Sequence, residues 1–141
     1  MTDSDNIFER GLPQRPANFR PLSPISFLQW AAGVYPHKTA VIHGDLRRTW
    51  RQFHERCRRL ASALAKRGMK PGDTVAVMSP NAPAMLEAHY GIPMSGAVLN
   101  ALNFRLDAAT IAFILDHGEA RVLITDREFS GVIAEALGLL K

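Results

Sequence analysis

Five histidines, one cysteine and 13 carboxylates are the side chains from which a metal site or an acid–base centre would have to be assembled. Their spacing assembles neither. His37, His43, His54, His89 and His117 stand at no zinc-ligand interval from one another or from Cys57. Asp116 and His117 are neighbours on one helical segment, where a cation suits the helix end better than a catalytic pairing does. Ser95 precedes Gly96, but Pro93 and Met94 stand before it, so the sharp glycine-flanked nucleophile turn is absent. There is no Gly-x-x-x-x-Gly-Lys loop to cradle a phosphate and no Gly-x-Gly-x-x-Gly after a strand. By themselves these residues activate no water, nucleophile or metal.

Charge is the next chemical signal. Nine of the 17 lysines and arginines fall between Arg47 and Lys70. Such a run suits a nucleic-acid or anionic-membrane surface, or simply a solvated helix face. The aromatic residues of this segment lie in its apolar stripe, away from the arginines, so bases would find nothing to stack on. The solvated face is the expectation, with Glu55 partly offsetting Arg58 and Arg59 and no nucleic-acid partner. No apolar run approaches the ~20 residues of a membrane span. With Cys57 alone, no internal disulfide forms, and a reducing compartment is expected. The polar, acidic start Met1–Asn6 has no signal-peptide core behind it, so a cytoplasmic location is expected.

The elements that would position these groups are legible. At 141 residues, one domain or part of one is expected. Residues 1–22, with Pro13, Pro16 and Pro21, read as an extended arm, and 23–141 as the folded portion. Ser23-Pro24 starts a helix carrying Phe27, Ala31 and Val34, which should end at Tyr35 before Pro36. Trp30 and Tyr35 are expected to be core residues. Residues 39–43 and 46–49, around Gly44-Asp45, read as a hairpin. Thr49 and Gln52 form a capping box, and Trp50, Phe53, Cys57, Leu60, Ala61 and Leu64 form one helical stripe. Gly68 should end that helix in a left-handed conformation.

From Thr74 to Asp126, short apolar runs at 75–78, 97–99 and 122–125 alternate with helical segments. Asn81 is expected to cap the first of these helices, and Gly91 with Pro93 to kink or end it. Asp107 should cap the second, Gly118 should close it, and Asp126 should cap a last helix with Phe129, Val132, Ile133, Ala136, Leu137 and Leu140 on one face. This β-α-β-α-β order predicts a parallel sheet. The fold class is therefore α/β: a partial doubly wound parallel sheet with flanking helices, plus a short hairpin.

An ordered set of phrases adds a family resemblance. Ser26-Phe-Leu, Ala40-Val-Ile-His-Gly44 and Thr49-Trp-Arg-Gln-Phe53 come first. Gly68-Met-Lys-Pro-Gly-Asp73 and Val75-Ala-Val-Met-Ser-Pro-Asn81 follow, then Gly96-Ala-Val-Leu-Asn100, Leu102-Asn-Phe-Arg-Leu106, Ile111-Ala-Phe-Ile-Leu115 and Val122-Leu-Ile124. Together, in this order, they resemble the N-terminal part of the adenylate-forming acyl-CoA synthetases, nearest the branch acting on fatty or other medium-sized carboxylic acids. The resemblance implies a full enzyme that joins a carboxylic acid to CoA through an acyl-adenylate, using ATP and Mg²⁺. It implies that the phosphate loop, the acidic residues and the catalytic lysine of that family lie beyond the matched stretch. It points to Arg105, in the Leu-Asn-x-Arg-Leu phrase, as a CoA-phosphate contact, against the alternative of an arginine tethering its own loop. Phe104 stands where relatives often carry a small residue or proline. Thr110 stands where they often carry glutamate, so that capping box is missing. The chain alone is then expected to be inactive, to bind none of these cofactors tightly, and to self-associate through uncovered apolar surface. The alternative is a non-enzymatic stand-alone interaction or regulatory module derived from the family.

Overall fold

The structure is a computed structural model that describes residues 22–140 and, ahead of them, Gly11, Arg15, Ala17 and Phe19. Most of the expected arm thus lies outside the described residues. The element order is α1 (Pro24–Val34), β1 (Thr39–His43), β2 (Leu46–Thr49), α2 (Trp50–Lys66), β3 (Thr74–Met78), α3 (Pro83–Met94), β4 (Val98–Ala101), α4 (Ala108–His117), β5 (Ala120–Thr125), a 3₁₀ turn (Arg127–Phe129) and α5 (Ser130–Gly138).

β3 decides the architecture. Val75, Ala76, Val77 and Met78 are 0–2% exposed. A strand buried on both faces is a continuous apolar run, which is how this one reads. Val75 and Val77 pack with Leu64, Ala88 and Ile92 from α2 and α3. Ala76 and Met78 pack on the other face with Ile111, Leu115 and Ile133 from α4 and α5. The period-2 alternation of side chains produces the two layers. β3 is the central strand of a parallel sheet in the order β4-β3-β5. β1 and β2 form a separate antiparallel hairpin. Leu28 of α1, Val41 of β1, and Phe53 and Cys57 of α2 form a third core beneath that hairpin, with Tyr90 beside them. The Tyr90 ring meets Phe53 edge-on at 5.3 Å.

The caps follow the sequence in most places. Ser23 accepts from the Ser26 N–H, Thr49 and Gln52 cap α2 reciprocally, and Asp107 accepts from the Thr110 N–H. Gly68 has φ +80°. Other expectations are corrected. The N-cap of α3 is Ala82, without a side-chain bond, not Asn81. Pro83 holds the first helical position and keeps the residue before it extended, which makes Ala82 the cap and leaves Asn81 one residue too early. α3 runs through Gly91 and Pro93 to Met94, because Pro93 falls in the last turn, where only one backbone bond is forfeited. Gly118 closes α4 with an ordinary φ of −83°, and Glu119 takes the left-handed position at +49°. Gly118 is small for a different reason: a Cβ there would lie 2.9 Å from Asn100 Nδ2. Asp126 caps the 3₁₀ turn that leads into α5. Trp30 and Tyr35 are not core residues: they are 70% and 49% exposed, because α1 buries only its Leu28 side.

Candidate functional site

β3 connects to β4 through α3 on one face of the sheet, and β4 connects to β5 through α4 on the other. The loops leaving β3 and β4 therefore diverge to opposite faces. In open α/β sheets, the crevice at such a divergence, outside the carboxyl ends of the strands, is where ligands bind. The loop leaving β4, residues 102–107, stands there, and Arg105 is at its middle.

Both ends of this loop are fixed. Leu102 is buried and donates its N–H to the Val77 carbonyl at 2.9 Å. Asp107 accepts from the Thr110 N–H at 2.7 Å. The Thr110 hydroxyl and N–H together hold the Asp107 carboxyl below the usual carboxylate range. Thr110 thus serves the cap by a different route from the glutamate box. Between the ends, Asn103 turns the chain: its Oδ1 accepts from the Arg105 N–H at 3.0 Å. Phe104 stacks on Phe129 at 5.6 Å with 23° between the rings. The aromatic residue that departs from the family pattern therefore pins the loop to the 3₁₀ turn after β5.

The Arg105 side chain is exposed, and its guanidinium carbon lies 5.7 Å from the Phe104 ring centre. Among the described residues no carboxylate pairs with it. The alternative role, a tether to a nearby carboxylate or carbonyl, finds no side-chain bond among the described residues. An exposed guanidinium without a carboxylate partner keeps its forked donors available, and such donors suit phosphate oxygens.

The basic run has a partner that the sequence did not disclose. Glu87 of α3 is buried, and its Oε1 accepts from Arg48 Nη1 of β2 and from Arg56 Nε of α2, the latter at 2.7 Å. That pairing raises the Arg56 guanidinium above its ordinary value. One carboxylate thus clamps hairpin, α2 and α3, and the expected fully solvated face is in part an internal ion network. The only linear clue was a glutamate in an otherwise apolar helix. At the opposite end of the sheet, Asp73 accepts from Arg121 at 2.6 Å and from the Lys70 N–H at 2.7 Å. The Lys70 N–H chiefly, with Arg121 after it, lowers the Asp73 carboxyl.

No group of three or more His, Cys, Asp or Glu side chains that would hold a metal ion occurs among the described residues. No helix among the described residues is long and apolar enough to cross a membrane.

The family model described as "AMP-binding enzyme" matches residues 28–139. The chain belongs to that family. This AMP-binding family chain is similar to the peroxisomal acetate/butyrate–CoA ligase of Arabidopsis thaliana, at 52% identity over 130 residues, 92% of this chain and 23% of the plant protein. It is 49% identical over 129 residues to an acetate–CoA ligase of Humulus lupulus, again covering 92% and 23%. The N-terminal domain of FACL13 from Mycobacterium tuberculosis superposes with a TM-score of 0.76 at 31% identity, over 80% of this chain and 30% of that one. The chain thus spans about a quarter of the length of the plant ligases, and its α/β architecture is the family's.

Proposed function

We propose that this chain is part of an AMP-forming acyl-CoA synthetase, an enzyme that joins a carboxylic acid to CoA through an acyl-adenylate. The chemistry needs two displacements. The acid's carboxylate oxygen displaces pyrophosphate from ATP, giving a mixed anhydride with AMP. The CoA sulfur then displaces AMP from the acyl carbon. Within that enzyme, residues 22–140 are scaffold, and the loop around Arg105 is one wall of the CoA entrance. The observation that carries this reading is the exposed Arg105 side chain, on the loop that leaves β4, in a chain 52% identical to a named acetate/butyrate–CoA ligase. Short-chain acids such as acetate and butyrate are therefore the first substrates to try. The single thiol, Cys57, is buried, which is compatible with a reducing compartment such as the cytoplasm.

One charged hydrogen-bonding group contributes about 1.5–3 kcal/mol. Millimolar binding already needs about 4 kcal/mol. The 141 residues alone should therefore neither hold CoA usefully nor make thioester.

A chimera tests the assignment. Residues 28–139 replace the matched segment of the Arabidopsis ligase, and pyrophosphate exchange and thioester formation are followed separately. Both activities should persist with acetate or butyrate. Arg105→Ala in the chimera should raise KM for CoA by about tenfold, within the worth of one charged hydrogen bond, and leave pyrophosphate exchange unchanged. A folded chimera without adenylation would refute the enzyme assignment. An unchanged KM for CoA would remove Arg105 from the entrance.

A further inference from the structure

An open groove of about 560 Å³ runs between β1 and α3. Its floor is apolar: Val41 and Ile42 from β1, Met85, Leu86 and Tyr90 from α3, and Pro24 from the start of α1. Ile42 is 66% exposed and Leu86 39%. Apolar side chains this open, gathered in one concavity, call for an occupant.

We propose that the groove is the seat of the chain's own N-terminal arm, with Ile7 and Phe8 as its anchors. The arm ends where the groove begins. Pro24 lines the groove, and Ser23, directly before it, is extended at φ −140° and ψ 153°. The arm is also long enough. At about 3.3 Å per residue, the stretch from Phe8 to Pro24 reaches several times the width of any cleft of this volume. Within it the Phe19 N–H donates to the Arg15 carbonyl at 2.8 Å. Pro13, Pro16 and Pro21 restrict the free arm, so less freedom is lost on docking.

Charge agrees with this seating. Asp3, Asp5 and Glu9 against Arg10 make the first ten residues acidic, while the chain as a whole carries +4. The groove's rim carries His43 and His89, and Arg47 stands directly across the hairpin from Ile42. An acidic segment bearing an Ile-Phe pair suits an apolar floor with the Arg47 cation close by. Tethering makes even a weak contact sufficient. A short flexible linker gives an effective concentration in the millimolar range, so an intrinsic affinity of about 0.1 mM leaves the arm about nine-tenths docked.

The methyl-labelled 141-residue chain tests this by NMR. The Phe8 ring should give nuclear Overhauser contacts to the Ile42 and Leu86 methyls and displace their resonances upfield. Phe8→Ala should abolish the displacement, and Ile42→Asp in the groove should release the arm while the Leu28 methyl resonances of the underlying core stay in place. The absence of contacts, with identical methyl shifts in wild type and Phe8→Ala, would overturn the proposal. Ile42 and Leu86 methyl displacements that survive Phe8→Ala and grow over a tenfold rise in protein concentration would also overturn it, by placing a second copy in the groove.

Discussion

Two single residues have chemistry that the fold alone dictates. Cys57 has no exposed surface and lies in the core between α1, the hairpin and α2. Burial pushes its thiol up to about 12, and the Glu87 carboxylate adds to the effect. Its thiolate, the reactive form, is thus suppressed at any ordinary pH. Iodoacetamide at pH 8 should leave the folded chain unmodified and alkylate Cys57 once urea has unfolded it; rapid alkylation of the native protein would contradict this burial. The linkage follows from the same shift. Above the ordinary thiol value of 9.0 the unfolded chain gives up a proton that the folded chain keeps, up to about 12. Stability should therefore fall as pH rises through that window, and Cys57→Ala should flatten the slope in denaturant titrations. The depressed carboxyls of Asp73 and Asp107 act in the opposite sense: their contribution is present near neutrality and is lost as acid carries pH down through their folded values. Arg105 was visible in the sequence only through its phrase. Its lack of a carboxylate partner and its support by Phe104 on Phe129 depend on residues brought together from two loops, which no local pattern encodes.

At the scale of elements, the α2–α3 contact is the most confined. A Cβ on Gly91 would lie 2.9 Å from the Cys57 carbonyl and 2.9 Å from Leu60 Cδ2. Gly91→Ala should cost about 1–3 kcal/mol despite its better helix propensity, because α3 must move off α2. Gly33, in α1, has nothing within 4 Å, so Gly33→Ala should stabilise by about 0.5–1 kcal/mol. Opposite shifts in the urea midpoints of the two variants would establish the distinction; equal shifts would refute it. The Glu87 clamp joins the same helices to the hairpin. Its carboxylate is 9% exposed, while its partners Arg48 and Arg56 are 18% and 45% exposed. Glu87→Ala should cost about 2–3 kcal/mol, less than for a fully buried pair because Arg56 retains water. Arg58→Ala, on the solvated part of the same helix, should stay within about 0.5 kcal/mol. These comparisons mark what was legible in sequence. Ser23, Thr49 with Gln52, and Asp107 act on backbone groups three residues away, so local spacing found them. β3 announced itself as an unbroken apolar run because both its faces are covered. Glu87 meets Arg56 and Arg48 across 31 and 39 residues, and at that separation a basic stripe reads only as solvated. Asn81 misled because Pro83 shifts the cap by one residue.

At the scale of the whole molecule, the described fold leaves apolar surface and hydrogen-bonding edges open. β4 and β5 each pair only with β3, so the parallel sheet ends on both sides. On α1, Phe27, Trp30 and Val34 are 54%, 70% and 52% exposed, and with Ala31 they fall at the i, i+3, i+4, i+7 positions of one helical face. Sequence periodicity marked that stripe as inward-facing; it could not say that only Leu28 finds a partner within these residues. In a family enzyme some four times as long, further polypeptide is available to cover such a face. In the 141-residue chain by itself, another copy is the nearest cover. The isolated protein should therefore sediment above its 15.6 kDa monomer mass, increasingly so with concentration. Trp30→Glu should shift it toward monomer by placing a charge at the centre of the stripe, where burial would strand it without a partner. Raised salt should leave the wild-type association intact or strengthen it, because apolar burial is not screened as charge pairs are. A wild-type chain that stays monomeric throughout the micromolar range would show that this face needs no cover. Association that dissolves in salt and ignores Trp30→Glu would instead locate the contact on the basic helix between Arg47 and Lys70.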